Sequence, residues 1–145
     1  MVIKKSSAFT MFEILIVLVI LGTLITFLWG PLTKMIGKSD VNLTNLKLEK
    51  LKSSLMQYKM DVGHYPRKKE GGLRALLEKP SGETNWRGPY IDREDDLLDK
   101  WDGEIIFNAP PERYKNKVRF FELISLGEDG QEGGEGDASE IVKGG

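Results

Sequence analysis

The sequence predicts an α+β chain. One long N-terminal helix, apolar all round in its first half and amphipathic in its second, packs on a small antiparallel sheet. Three observations carry this expectation. Sixteen consecutive residues, Ile14 to Trp29, hold no charge. Leu48, Leu51, Leu55, Tyr58 and Val62 then recur at three- and four-residue steps, the period of a helix with one buried face. Further on, Glu104 to Asn108 and Val118 to Leu126 are enriched in β-branched and aromatic residues, the composition of strands.

The first element begins behind Lys4 and Lys5. Phe9 to Leu32 supplies 24 residues with one charge, Glu13, and about 20 apolar residues suffice to cross a bilayer. The lysines would stay cytoplasmic and place the following domain outside. Three readings of this segment are open. A secretory signal peptide has a shorter core, about 7–15 residues, with a small-residue cleavage site behind it; here Gly30-Pro31-Leu32-Thr33 is a poor site. A plain anchor keeps the whole segment. In the third reading the cut lies before the apolar run, between Ala8 and Phe9. A carboxylate in hydrocarbon costs roughly 2.5–3.5 kcal/mol at a helix centre and less near an end. Glu13 therefore needs a positive partner, acquired after processing and assembly.

Gly22 lets apolar helices approach closely in lipid, and Pro31 is expected to kink or locally melt the helix. The amphipathic part should run from about Asp40 to Met60 and stop near Gly63 and Pro66, with Thr44 interrupting its stripe. The two predicted strands form a hairpin around a long loop, Ala109 to Lys117, and a short strand around Tyr90-Ile91 is a possible third. Such a core is small, so something else is expected to tie down the C-terminal end.

With 145 residues the chain is one small domain plus an anchor. Its net charge is −1, and loss of the segment up to Ala8 would remove two lysines, so no basic field points to nucleic acid. There is no cysteine, hence no disulfide framework or thiolate chemistry. His64 is the one histidine; a zinc site there would be carboxylate-rich and atypical, and a surface or turn role is expected. No nucleophile elbow, P-loop or dinucleotide fingerprint is present, which speaks against an enzyme.

Gly127 to Glu140 holds Glu128, Asp129, Glu132, Glu135, Asp137 and Glu140, five glycines and no basic residue. Six anions so close together repel unless neutralised. Ca²⁺ takes about six to eight oxygen ligands on a flexible, glycine-turned loop, although the EF-hand ladder is absent. The bland alternative is a solvated acidic tail. The return to apolar Ile141-Val142 favours a bound loop.

Phe9-Thr10-Met11-Phe12-Glu13, followed by Ile14 to Gly22, resembles the N-terminal signature of type IV pilins and pseudopilins. Tyr58-Lys59-Met60-Asp61-Val62-Gly63-His64-Tyr65-Pro66, Glu70-Gly71-Gly72-Leu73-Arg74-Ala75-Leu76, Trp86-Arg87-Gly88-Pro89-Tyr90-Ile91, Asp99-Lys100-Trp101-Asp102-Gly103 and Ser125-Leu126-Gly127-Glu128-Asp129-Gly130 resemble, in order, segments of the major pseudopilins of type II secretion. Three departures stand out: Ala8 replaces the usual Gly before the cut, Asp99-Lys100-Trp101-Asp102-Gly103 stands where the family commonly has D-P-W-G, and Ser139-Glu140-Ile141 stands where the closest pattern has A-D-I.

The resemblance implies a type IV pilin-like fold in three parts: a leader at 1–8, a transmembrane and filament-core helix at 9–32, and a periplasmic head at 33–145 with a calcium loop at 125–141. It implies that prepilin peptidase cuts between Ala8 and Phe9 and methylates the new amine, and that Glu13 sets the register by pairing with a neighbour's amino terminus. A buried carboxylate is tolerable when paired, and registry is its best-attested use. It implies calcium on Asp129, with Asp137 and Glu140 and the carbonyls of Leu126 and Gln131 as further ligands. The implied partners are copies of the same chain in a helical homopolymer, minor pseudopilins and the inner-membrane assembly platform. The implied work is export of folded proteins across the outer membrane. Two rivals remain. A type IV pilin of a surface fibre often carries a C-terminal disulfide loop, which a chain without cysteine cannot form. A monomeric anchored receptor or calcium-binding module has no need of Glu13.

Overall fold

The computed structural model describes residues 10–145, apart from the side chains of 30–38 and 137. The expected leader at 1–8 and the cleavage pair Ala8 and Phe9 lie outside the described residues. One helix, α1, runs Met11–Val62, and the chain divides into two compact units, Met1–Gly37 and Lys38–Gly145.

In the first unit, α1 starts with a reciprocal cap. The Glu13 N–H donates to Thr10 Oγ1 at 3.2 Å, and the Thr10 N–H reaches back to Glu13 Oε2 at 3.5 Å, so two donors that the helix leaves unused find acceptors. Met11–Trp29 has a mean hydropathy of 2.6, none of it is buried, and it is long and apolar enough to cross a membrane. Its two threonines hide their polarity. Thr23 Oγ1 donates to the Ile20 carbonyl at 2.8 Å and Thr26 Oγ1 to that of Gly22 at 2.6 Å, which removes two hydroxyls that hydrocarbon could not satisfy. The backbone remains helical through position 31. The melting expected at Pro31 is therefore not seen: one missing donor leaves the bonds on either side in place.

In the second unit, α1 extends two residues past the predicted Met60, and the Gly63 N–H closes its last turn on the Lys59 carbonyl at 2.8 Å. Leu48, Leu51, Leu55 and Tyr58 are each at most 1% exposed. Full burial of such side chains contributes about 1.5–3 kcal/mol each. They share one core with Leu73, Leu76, Ile91, Ile105, Phe121, Leu123 and Ile141. Thr44, the break in the stripe, is fully buried because its hydroxyl accepts the Lys100 N–H at 3.2 Å.

The sheet has three antiparallel strands in the order β1 (Ile106–Asn108), β2 (Glu122–Ser125), β3 (Ile141–Gly144). Phe107 pairs with Leu123, and Leu123 with Lys143. Alternation puts this set on one face, where Leu123 joins the α1 core and Lys143 Nζ reaches Glu49 of α1 at 3.1 Å. Both predicted strands are shorter than expected. The Arg119 and Phe120 N–H groups both turn to the Gly145 carbonyl, at 2.9 and 2.6 Å, which keeps 118–121 off the ladder. Tyr90-Ile91 is a bend, not a strand. The Tyr90 N–H donates to the Leu76 carbonyl at 2.7 Å and the Tyr90 carbonyl accepts from Ser54 Oγ at 2.9 Å, so both backbone groups are used without a neighbouring strand. The third strand is β3 instead.

Candidate functional site: the acidic loop and its root

The acidic stretch is the connection between β2 and β3, closed at its neck by the Ser125–Ile141 pair. Ser125 is fully buried and donates its hydroxyl to Asp99 Oδ2 at 2.6 Å, while accepting the Gly127 N–H at 3.3 Å. Asp99 Oδ1 accepts the Trp101 and Gly103 N–H groups at 2.9 and 2.8 Å. Two of the quoted motifs thus meet in the core, and the loop leaves from that junction. Gly127 has φ +79°, and a Cβ there would lie 2.9 Å from the Ala138 carbonyl carbon and oxygen and from the Ser139 oxygen. Only glycine lets the two limbs of the loop approach this closely.

Within the loop, Glu128 to Gly136 are exposed. Asp129 Oδ1 accepts the Gln131 N–H at 3.0 Å, which folds 129–131 into a tight turn. Leu126 is half-buried at the neck, and Asp137 lies in the 3₁₀ turn Gly136–Ala138. Glu140 is committed elsewhere. Its Oε1 accepts from Arg113 Nη2 at 2.7 Å and its Oε2 from the Tyr114 hydroxyl. That bond to Glu140, with burial added, raises the Tyr114 pKa above the usual phenol range. The donor set thus fits calcium in part: an exposed, all-oxygen, glycine-turned loop around Asp129 suits a hard cation, whereas Glu140 reaches an ion only by exchanging its bonds to Arg113 and Tyr114.

Arg113 and Tyr114 are themselves held by a residue that sequence reasoning did not single out. Glu122 on β2 is fully buried. Its carboxylate accepts the Glu112, Arg113 and Tyr114 N–H groups at 3.0, 3.0 and 2.7 Å, and Asn108 Nδ2 at 2.8 Å. Burial alone would raise its pKa, but the Arg113 and Tyr114 N–H groups, then Asn108 and Glu112, outweigh it and hold the carboxyl at about 2, down from 4.5. The sequence signal was a charged residue between Phe121 and Leu123 in an otherwise apolar strand.

The remaining motifs lock the same head together. Trp86 Nε1 donates to the Ala75 carbonyl at 2.8 Å, and the Tyr90 hydroxyl donates to Asp61 Oδ2 at 3.0 Å. Lys47 Nζ caps the carbonyls of Asp95, Leu98 and Asp99 at 3.1, 2.8 and 3.2 Å. Among the described residues, only His64, Glu70 and Glu83 bring three side-chain ligand atoms of the metal-binding kind within 4.8 Å of one another.

Comparison with known proteins agrees with this architecture. The sequence profile described as "Type II secretion system (T2SS), protein G" matches residues 31–144, and that of the "Prokaryotic N-terminal methylation motif" matches residues 3–29. The type II secretion system core protein G of Vibrio cholerae is 33% identical over 141 residues, 95% of this chain and 91% of the relative. That of Pseudomonas aeruginosa is 30% identical over 142 residues, 95% and 94% of the two chains. Among solved structures, the major pseudopilin from the type 2 secretion system of enterohaemorrhagic Escherichia coli superposes with a TM-score of 0.55 at 31% identity, over 72% of this chain and 86% of that one.

Proposed function

The chain belongs to the protein G family of type II secretion, and from that premise we propose how this sequence works as a major pseudopilin. It is a structural subunit rather than an enzyme, and its filament is the pseudopilus rather than a surface fibre. The observation that carries this is the order of the parts: a methylation motif ahead of an exposed apolar helix, and behind it a head matched along nearly its whole length.

Residues 1–8 are a leader removed by prepilin peptidase between Ala8 and Phe9. Residues 9–32 lodge the subunit in the inner membrane with its head in the periplasm, and then form the filament core. Glu13 pairs there with a neighbour's amino terminus, giving up its present cap on the Thr10 N–H. The assembly platform and minor pseudopilins are its partners in building the helical homopolymer. Calcium, when bound, supplies the positive charge that the loop carboxylates lack. Asp129 and Asp137 with the carbonyls of Leu126 and Gln131 would hold it, and Glu140 would join them on leaving Arg113. This chain's own contribution is the rooted neck, which fixes where the loop begins and ends.

The test is Glu13→Ala in cells that carry the secretion machinery. The variant should insert into the membrane and fold but give no sheared filament and no export. Filaments at the wild-type level would overturn the registry role.

A further inference from the structure

His64, Glu70 and Glu83 come from three separate segments: the turn behind α1, the 3₁₀ turn Lys68–Glu70, and the loop before Trp86. Their side chains are 28%, 8% and 22% exposed, so the cluster is sheltered but reachable. The imidazole is oriented in an informative way. Nδ1 lies 2.9 Å from the Tyr65 carbonyl oxygen. A carbonyl only accepts, so Nδ1 carries the proton and Nε2 presents its lone pair in the neutral ring. That lone pair faces Glu83 Oε1 at 3.3 Å. Two acceptors at this distance need a cation between them or on one of them. Glu70 Oε2 lies 3.8 Å from Nδ1, on the other side of the ring. A ring nitrogen fixed by Nδ1–H on a backbone carbonyl, with the other nitrogen turned to a carboxylate, is the arrangement that orients a metal-ligating histidine.

A second observation points to the same place. Tyr58 is fully buried, and its hydroxyl has no hydrogen-bond partner among the described residues. Its ring meets the His64 ring edge to face, with centroids 6.3 Å apart. A buried donor without an acceptor costs about 1–3 kcal/mol. A ligand in the cluster that brings an oxygen, such as a metal-bound water, would relieve that cost. Glu70 is held in place by Arg67, whose N–H donates to Oε2 at 3.0 Å and whose Nε lies 3.7 Å from Oε1.

We propose that His64, Glu70 and Glu83 form a structural zinc site that clips the turn behind α1 to the two loops below it. One neutral imidazole nitrogen and two carboxylates suit Zn²⁺ or a related transition metal, whereas calcium and magnesium favour oxygen alone. Three protein ligands would leave a fourth position for water. The site uses none of the residues of the acidic loop and stands independently of calcium there.

The experiment is a zinc titration of the chelator-stripped full chain in detergent, with calcium and magnesium in excess. The wild type should bind one Zn²⁺ per chain. His64→Gln and Glu83→Gln should each weaken binding about tenfold or more, Tyr58→Phe should weaken it less, and Asp129→Ala should leave it unchanged. Far-UV circular dichroism verifies that each variant is folded. No saturable binding by the wild type would overturn the proposal. Wild-type affinity in the folded His64→Gln/Glu83→Gln double variant would overturn it equally, by placing the zinc elsewhere.

Discussion

Glu122 accepts the backbone N–H of Tyr114 at 2.7 Å from a position with no solvent exposure. With three further donors around it, this one carboxylate closes the long loop after β1 onto the sheet and sets Arg113 and Tyr114 in reach of Glu140. The charge is tolerated because it is fully hydrogen-bonded.

A pH dependence follows from that arrangement. The folded carboxyl titrates at about 2 and the unfolded one near 4.5, so the folded state holds this proton less tightly. The stabilisation is complete above pH 4.5 and is lost as pH falls towards 2. Its full size is about 3 kcal/mol, at about 1.4 kcal/mol for each pKa unit. Urea unfolding of Glu122→Gln should show a loss of about 2–3 kcal/mol at pH 7 and a flatter acid limb than the wild type. Equal stability at pH 7 would contradict the assignment.

The junction of Ser125 with Asp99 makes a second prediction. Ser125→Ala removes a buried donor to Asp99 and the acceptor for the Gly127 N–H together. A cost of about 1–3 kcal/mol is expected from the polar groups left unpaired. Hydrogen exchange should quicken at Gly127 and at the β3 amides, which hang from the same neck. Exchange confined to the exposed tip, with no change at β3, would show that the neck does not depend on this bond.

Gly88 carries a third. The Trp86 and Tyr90 rings meet edge to face with centroids 5.7 Å apart, and a Cβ on Gly88 would sit 2.6 Å from Trp86 Cζ2. Gly88→Ala must push the indole aside and loosen its bond to the Ala75 carbonyl. The expected result is a loss of about 1–3 kcal/mol with a red shift in the fluorescence of the head. A neutral substitution would mean that the two rings do not hold that loop.

The parts legible in the sequence were those with long periodic or compositional signals. The uncharged run and the stripe Leu48, Leu51, Leu55, Tyr58 lie in one helix, and the stripe is the face that meets the core. β3 was missed because Ile141–Gly144 is four residues long, includes a glycine and is buried only at its first position. Tyr90-Ile91 read as a strand because an aromatic residue beside a β-branched one has strand composition; what decides the matter is that the Tyr90 backbone bonds to Leu76 and Ser54, contacts between distant segments. The role of Glu122 was hidden for the same reason, since its donors are the Asn108 side chain and backbone N–H groups of another loop. The choice of the leader cut and the identity of Glu13's partner rest on resemblance, because both belong to events between molecules.

The measurement that bears most directly on the account is thermal unfolding of the full chain in detergent, with calcium and with chelator, for the wild type and Asp129→Ala. Calcium at about 100 times its dissociation constant should stabilise the wild type by about 2.7 kcal/mol, several degrees for a head this small, and the shift should vanish in the variant. A wild type indifferent to calcium, or a shift that survives Asp129→Ala, would contradict the reading of the acidic loop as the ion-held element of the head.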